Sequence, residues 1–232
     1  MKLHQALHLT TDMTVAIIGA GGKTTALWRL AEERRESGVL VTTSTHIMQP
    51  TECDVCCAPD DLDELRQMLA PGRITCAAYP AAESGKCTGL SPALFAAARA
   101  DGIPILYEAD GSKKLPAKLH QDGEPVIYPQ TDAVLLLAGL RALGQPVGQV
   151  CHRFEQSPRM RADPMRPFDP QDLLETIRDG IRASGVPQER LRILINQADT
   201  PARFADALPV AQILRQEGFC VRVGCLRNLF WP

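Results

Sequence analysis

Residues 14–25 read T-V-A-I-I-G-A-G-G-K-T-T, and this stretch decides the fold class. A β-branched apolar run ends in a glycine-rich turn, a lysine and two threonines, and apolar residues at helical spacing follow from Ala26 to Ala31. A strand, a glycine-rich turn and a helix N-terminus together present backbone N–H groups to phosphate. The lysine adds a positive charge, and a hydroxyl directly after it is a ligand for Mg²⁺. The stretch therefore predicts a nucleoside triphosphate site.

The loop sequence is shorter than the full phosphate-loop motif G-x-x-x-x-G-K-[ST]. That motif has a glycine five residues before the second glycine, and here Ile17 occupies that position. What remains is a G-x-x-G-K-T-T loop, which resembles the phosphate loop of the Mur ligases. The residues predicted to hold the phosphates are Gly19, Ala20, Gly21, Gly22, Lys23, Thr24 and Thr25.

Two alternatives to this interpretation are less favoured. Gly19 and Gly21 match the first two glycines of the dinucleotide-binding pattern G-x-G-x-x-G, but Thr24 occupies the third position, which requires a small residue. It also needs an acid at the end of the second strand, and the strand predicted over 39–43 is followed by Ser44 rather than Asp or Glu. The other alternative is a purely structural turn.

Composition narrows the classes of function. The chain has 232 residues, 45% hydrophobic residues and a formal net charge of -2, so nothing in its charge favours nucleic acid or an anionic membrane as a partner. The N-terminal apolar segment is too short for a signal peptide, and the longest apolar run, 133–140, is far below membrane-spanning length. These features predict a cytoplasmic protein.

Strand and helix signals alternate along the whole chain. Further apolar strands are predicted over 39–43, 74–78, 103–109, 133–137, 191–195 and 219–226. Helices are predicted from the end of the loop to about residue 35 and over 60–70, 91–100 and 201–217, with one more beginning at Pro170. Residues 79–90 are predicted to be a loop. The alternation predicts an α/β fold, a mainly parallel, doubly wound sheet with helices on both faces, P-loop NTPase-like and forming one domain over 1–232.

The strand predicted over 103–109 ends in the acidic sequence Y-E-A-D-G-S-K-K. An apolar strand that ends in acids, downstream of a phosphate loop, is where an NTPase places the carboxylate that holds its metal. Glu108 and Asp110 are therefore predicted as catalytic and metal-binding residues, acting with Lys23 and with the Thr24 hydroxyl on Mg²⁺. An acidic turn without a metal is the alternative.

Two irregular segments are candidates for a lid or a substrate site. Residues 111–132 are too long for a plain connector, and residues 151–170 are rich in arginine and proline. Lys113, His152 and Arg153 are the side chains predicted to face a second substrate. An irregular surface connection is the alternative for both segments.

The strand predicted over 191–195 ends in N-Q-A-D, residues 196–199. This resembles the N-K-x-D box of GTPases, with glutamine in place of lysine. The resemblance predicts that Asn196 and Asp199 contact the base, and it favours GTP slightly over ATP. An Asx-rich turn before a helix is the open alternative, so the predicted cofactors are Mg²⁺ with ATP or GTP.

Three cysteines lie close together, Cys53, Cys56 and Cys57, among eight in the chain. The C-x-x-C spacing is typical of metal ligands, but no second such pair follows. Ordinary free thiols are therefore favoured over a metal or redox site.

Several stretches, in this order along the chain, carry a resemblance to a known family. They are V-A-I-I-G-A-G-G-K-T-T (15–25), V-L-V-T-T-S-T-H (39–46), L-Y-E-A-D-G-S-K-K-L-P-A-K (106–118), G-E-P-V-I-Y-P (123–129), A-G-L-R-A-L-G-Q-P (138–146), C-H-R-F (151–154) and L-I-N-Q-A-D (194–199). Together they resemble the YqeC-type proteins, described as accessory proteins of selenium-dependent molybdenum hydroxylases. The family often has H-R-P-E where this chain has H-R-F-E, residues 152–155, which departs from its pattern.

The resemblance implies a nucleotide-binding protein that acts in maturation of selenium-dependent molybdenum hydroxylases or their cofactor, with such a hydroxylase or its maturation machinery as partner. A ligase or kinase acting on a small acceptor is one alternative, suggested by the Mur-like loop. A non-catalytic binding module switched by nucleotide is another.

Overall fold

The apolar runs of the sequence become strands and helices over the residues that the computed structural model describes, 1–82 and 85–227. The strands are β1 (Val15–Gly19), β2 (Val39–Thr43), β3 (Ile47–Met48), β4 (Val55–Cys57), β5 (Ile74–Ala77), β6 (Tyr79–Pro80), β7 (Lys86–Thr88), β8 (Ile105–Glu108), β9 (Ala117–Lys118), β10 (Ala133–Gly139), β11 (Cys151–His152), β12 (Leu191–Asn196) and β13 (Cys220–Val223). The α-helices are α1 (Leu3–Ala6), α2 (Lys23–Arg34), α3 (Leu62–Met68), α4 (Pro92–Ala100), α5 (Val147–Val150), α6 (Pro158–Ala162), α7 (Pro170–Ser184) and α8 (Pro201–Gln216).

The main sheet has, among the described residues, eight parallel strands in the order β13-β12-β10-β1-β8-β2-β5-β4. β1 lies at its centre, with Ile17 opposite Glu108 of β8 and Gly19 opposite Leu137 of β10. Parallel strands share one carboxyl edge, where open α/β sheets bind ligands. The predicted α/β class with a parallel, P-loop NTPase-like sheet is therefore confirmed.

Helices cover both faces of this sheet because alternate residues of a strand point to opposite sides. Ile18 of β1 packs in one apolar cluster with Leu173 of α7, and the next residue back, Ile17, packs in a second cluster with Leu27 of α2. Burying such a side chain stabilises the fold by about 1.5–3 kcal/mol. Both faces being covered explains why β1 is apolar at every position.

Small polar side chains cap the starts of α4 and α7. The Ser91 side chain accepts a hydrogen bond from the N–H of Leu94, and Pro92 opens α4. Asp169 accepts from the N–H groups of Gln171 and Asp172 at the start of α7. A small polar residue followed by proline thus marks the start of both helices.

Residues 79–90 depart from the prediction of a loop. β6 and β7 pair antiparallel, and β7 also pairs with β3, forming a three-stranded sheet. Glycine and lysine are disfavoured in strands, so the sequence of this stretch did not indicate one. The strand forms through pairing with Ile47–Met48, which is distant in sequence and leaves no local signal. Residues 83–84, inside the predicted loop, lie outside the described residues.

The predicted segments 111–132 and 151–170 meet through a short parallel pair. β9 pairs with β11, which places Lys118 opposite His152. Within the described part of the chain, no helix is both long enough and apolar enough to cross a membrane.

Candidate functional site

The glycine-rich loop joins the central strand to α2 at the carboxyl edge of the sheet. β1 ends at Gly19, and α2 begins at Lys23. Gly21 has a positive φ of 82°, and a side-chain Cβ there would lie 2.4 Å from the Cα of Gly139 at the end of β10. Only glycine satisfies both conditions, because a Cβ contact below 3.0 Å would force the backbone to shift. The loop therefore packs directly on the neighbouring strand end.

Lys23 folds back over this loop. Its Nζ donates a hydrogen bond of 2.7 Å to the carbonyl oxygen of Gly19 and lies 3.2 Å from Oδ1 of Asp110. The side chain is only 5% exposed. The predicted phosphate-binding cation is thus inside the loop, where it is paired with a carboxylate.

Asp110 is the anion around which the loop is fixed. Its Oδ2 accepts hydrogen bonds from the Gly19 N–H at 2.9 Å and from the Lys118 Nζ at 3.0 Å, and it lies 2.9 Å from the His120 Nε2. Burial alone would raise the pKa of Asp110, but Lys23, His120 and Lys118 outweigh burial and hold that pKa well below its ordinary value. Asp110 is therefore a buried, ionised and neutralised group.

His120 connects this network to α7. Its Nδ1 lies 2.9 Å from Oδ2 of Asp179, and its backbone N–H donates to the same oxygen at 2.7 Å. Burial lowers the pKa of His120, but the hydrogen bonds to Asp110 and Asp179 outweigh burial and raise it above the ordinary value. A continuous chain of contacts therefore runs from α7 through His120 and Asp110 to Gly19.

Thr24 and Glu108 form the second polar pair of the loop. The Thr24 hydroxyl donates a hydrogen bond of 2.7 Å to Oε1 of Glu108. Burial raises the pKa of Glu108, with a partial opposing effect of Lys23 and Thr24. Thr24 is exposed, whereas Glu108 is 7% exposed at the end of β8. A hydroxyl and a carboxylate facing each other are the oxygen ligands that Mg²⁺ takes beside phosphate.

The three residues predicted to face a second substrate lie near this network. Arg153 forms two hydrogen bonds to the Glu124 carboxylate, at 2.6 and 3.0 Å, and Glu124 also pairs with Lys118 at 3.1 Å. Burial, Arg153 and Lys113 lower the pKa of His152. Arg153 is thus held by Glu124, and the neighbouring His152 lies close enough to Lys113 for its charge to affect the imidazole.

The N-Q-A-D residues divide into two different environments. Asn196 is buried, its Nδ2 donates to the carbonyl of Gly21 at 2.8 Å, and its Oδ1 accepts from the N–H of Leu226 at 3.0 Å. Asp199 pairs with Arg141 at 2.9 Å and with Arg203 at 2.5 Å. Asn196 supports the loop backbone, and the guanine contact of Asp199 stays a prediction.

A cleft of about 350 Å³ opens at the carboxyl ends of β2 and β8, beside Asp110. Its lining includes the main polar groups Thr43, Ser44, His46, Asp110, Glu124 and Tyr128. A larger cavity of about 640 Å³ lies against α7, next to His120 and Asp179. The smaller cleft is the one that contacts the predicted acidic motif.

Sequence reasoning missed several residues of this site. Gly139, Glu124, His120 and Asp179 were not singled out. His120 and Asp179 are 59 residues apart, so no local pattern joins them. Gly139 could have been found, because a glycine at the end of a predicted strand indicates that another backbone segment packs closely there.

The parallel sheet and the glycine-rich loop at the end of its central strand place the protein in the α/β class with a P-loop NTPase-like fold. Comparison with known proteins is more specific: the profile of the YqeC protein family matches residues 15–155, more than half of the chain. The chain therefore belongs to the YqeC family. The matched region contains the loop, Glu108, Asp110 and Arg153, and it ends before Asp179 and Asn196.

A relative in Escherichia coli (strain K12), named "Uncharacterized protein YqeC", is 34% identical over 149 residues. The alignment covers 61% of this chain and 58% of that protein, so the match spans little more than half of the relative's length. No solved structure matched the chain.

Proposed function

We propose that this protein binds a nucleoside triphosphate with Mg²⁺ and hydrolyses it. The observation that carries the proposal is the 2.7 Å hydrogen bond between the hydroxyl of Thr24, the first residue after the loop lysine, and Glu108 at the end of the neighbouring strand. A loop hydroxyl next to a strand-end acid is the arrangement that phosphoryl-transfer sites of this class use for their metal.

Each group of the site has a distinct task in this proposal. The backbone N–H groups of residues 21–24, at the N-terminus of α2, hold the phosphates. The N–H groups of Gly19 and Ala20, also predicted for this task, already donate to Asp110 and to the Leu137 carbonyl. Lys23 exchanges its contact with the Gly19 carbonyl for the β- and γ-phosphates, which are stronger acceptors. Thr24 and Glu108 hold Mg²⁺, which supplies charge neutralisation at the phosphates when bound. Asp110 keeps the loop and Lys23 in place.

The biological role that we propose is an accessory function in maturation of selenium-dependent molybdenum hydroxylases or their cofactor. Membership of the YqeC family and the resemblance of the sequence motifs support it. Nucleotide turnover at the loop would then drive hand-over to the client enzyme, in the cytoplasm.

A second candidate function is transfer of the γ-phosphate, or ligation, onto a small acceptor. The 350 Å³ cleft favours it, because that cleft adjoins Asp110 and is lined by hydroxyls and by the exposed His46. An acceptor seated there would lie next to the phosphate loop.

The test is calorimetry with ATP, GTP and their diphosphates, with and without Mg²⁺, followed by measurement of phosphate release. Lys23→Ala should abolish binding and turnover, and Lys2→Ala, which removes an exposed lysine outside the loop, should not. Binding without turnover would indicate a non-catalytic binding module switched by nucleotide. The absence of binding to every nucleotide would refute the proposal. Release stimulated by a small acceptor, with a new phosphorylated or condensed product, would support group transfer.

A further inference from the structure

Three cysteine thiols converge at the edge of the main sheet opposite to β13. The Sγ atoms of Cys53, Cys56 and Cys76 all lie within 4.8 Å of one another. Cys76 is buried, Cys53 is half-buried and Cys56 is exposed. The cluster therefore extends from the protein interior to the surface.

Strand pairing explains why the third thiol lies here. β4 and β5 are parallel neighbours, and Cys56 stands directly opposite Cys76 in their register. Cys57, the next residue, lies on the other face of the strand and packs against the apolar cluster that contains Ile18 and Leu173. The sequence presents a C-x-x-C pair without a partner, and the fold supplies that partner from β5.

The geometry suits a thiophilic cation. In a tetrahedral zinc site the Zn–S distance is about 2.3 Å, which places the sulfur atoms about 3.8 Å apart. The three thiols, all within 4.8 Å, need to move by only about an ångström to reach that spacing. The Cys53-x-x-Cys56 spacing is also typical of zinc ligands.

We propose that Cys53, Cys56 and Cys76 bind a thiophilic divalent cation of the Zn²⁺ type, leaving a fourth position open on the exposed side of Cys56. An open position distinguishes this arrangement from a closed four-cysteine structural site and leaves room for water or an exogenous ligand. Along the sheet, β5, β2 and β8 separate β4 from the phosphate-loop strand β1. The cation site is thus independent of the proposed nucleotide site.

The test uses the full chain, fully reduced and stripped with a chelator, titrated with Zn²⁺ and, separately, with Co²⁺. One equivalent of Zn²⁺ should bind, and Co²⁺ should give the intense visible bands of tetrahedral coordination with thiolate-to-metal charge transfer. Zn²⁺ should also slow alkylation of Cys56, as read by mass spectrometry, but not that of Cys57. Failure to bind one equivalent, or a cobalt spectrum without charge transfer, would overturn the proposal.

Two matched variants locate the site. Cys56→Ser removes an exposed ligand and should weaken Zn²⁺ binding on the order of tenfold or more. Cys57→Ser changes the neighbouring residue on the other face and should bind Zn²⁺ like the unmodified chain. Equal affinities of the two variants would refute the assignment, and unchanged thermal unfolding of both metal-free variants checks that they fold.

Discussion

The Lys23 ammonium lies 3.2 Å from the Asp110 carboxylate, and both side chains are almost fully buried. The charge that the proposed function assigns to phosphate is thus neutralised inside the protein. Lys118 and His120 also contact Asp110, so the carboxylate would stay paired if Lys23 turned toward a phosphate. This redundancy lets the lysine change partners without leaving a buried, unpaired charge.

Asp110→Asn should destabilise the protein by about 3–5 kcal/mol, because it leaves Lys23 and Lys118 buried with a lost counter-charge. The loss should be visible as a lower urea midpoint of unfolding at neutral pH. Glu108→Gln should change the unfolding free energy much less, since burial already raises the pKa of that carboxyl and favours its neutral form. Equal destabilisation by both substitutions would contradict the separate roles assigned to the two acids.

The Mg²⁺ dependence of nucleotide binding should depend on Thr24 and Glu108. Thr24→Ala and Glu108→Gln should each weaken binding of the Mg²⁺–nucleotide complex about tenfold or more, equivalent to about 1.4 kcal/mol, while binding of the free nucleotide changes little. Calorimetry with and without Mg²⁺ measures both affinities. Glu36→Gln, at an exposed acid outside the site, is the control. A Mg²⁺ effect that persists in both variants would place the metal elsewhere.

The sequence predicted the elements of the site better than their arrangement. Strand and helix signals are local, so the loop at Gly19–Lys23 and the acid at Glu108 were found from periodicity and end residues alone. Which acid meets which group was not readable from the sequence: Asp110, beyond the end of β8, accepts from the Gly19 N–H, whereas Glu108, at the end of the strand, accepts from the Thr24 hydroxyl. These different partners separate the roles of the two carboxylates.

Contacts between distant parts of the chain were not predictable in this way. The β9–β11 pair and the contact of His120 with Asp179 depend on the path of irregular segments over the sheet edge. Irregular backbone has no periodicity, so its side chains give no signal of which partner they meet. The thiol of Cys76 is a similar case, since only the pairing of β4 with β5 reveals its neighbours.

Stability should vary with pH through the network around His120. Its folded-state pKa is raised above the ordinary value of 6.5, so the stabilisation from the charged ring is fully present below pH 6.5 and is lost as pH rises through the raised pKa. Asp110 and Asp179 have pKa values lowered from 3.8, so their stabilisation is present above that pH and is lost as pH falls through the lowered values. Stability from this network is therefore greatest between these limits.

Urea unfolding measured from about pH 5 to pH 9 tests this dependence. The unmodified chain should lose stability on the alkaline side, and His120→Gln should be less stable at acid pH and should lack that alkaline loss. His46→Gln, at an exposed histidine of the cleft, should retain it. An alkaline loss of the same size in His120→Gln would assign the titration to another group.

Asn196 and Asp199 should differ in which nucleotides they affect. Asn196→Ala removes the donor to the Gly21 carbonyl and the acceptor for the Leu226 N–H, so it loosens the loop itself. ATP and GTP affinities should then fall by the same factor, about tenfold for a loss of about 1.4 kcal/mol. Asp199→Ala removes only a partner of Arg141 and Arg203 in the absence of nucleotide.

The predicted guanine contact requires Asp199→Ala to weaken GTP binding while ATP binding is unchanged, because adenine lacks the donors that this carboxylate would accept from. Calorimetric affinities of both nucleotides for both variants decide the assignment. If Asp199→Ala leaves the ratio of the two affinities as it is in the unmodified chain, the N-Q-A-D stretch is a capping turn that supports the loop through Asn196, and it has no part in selecting the base.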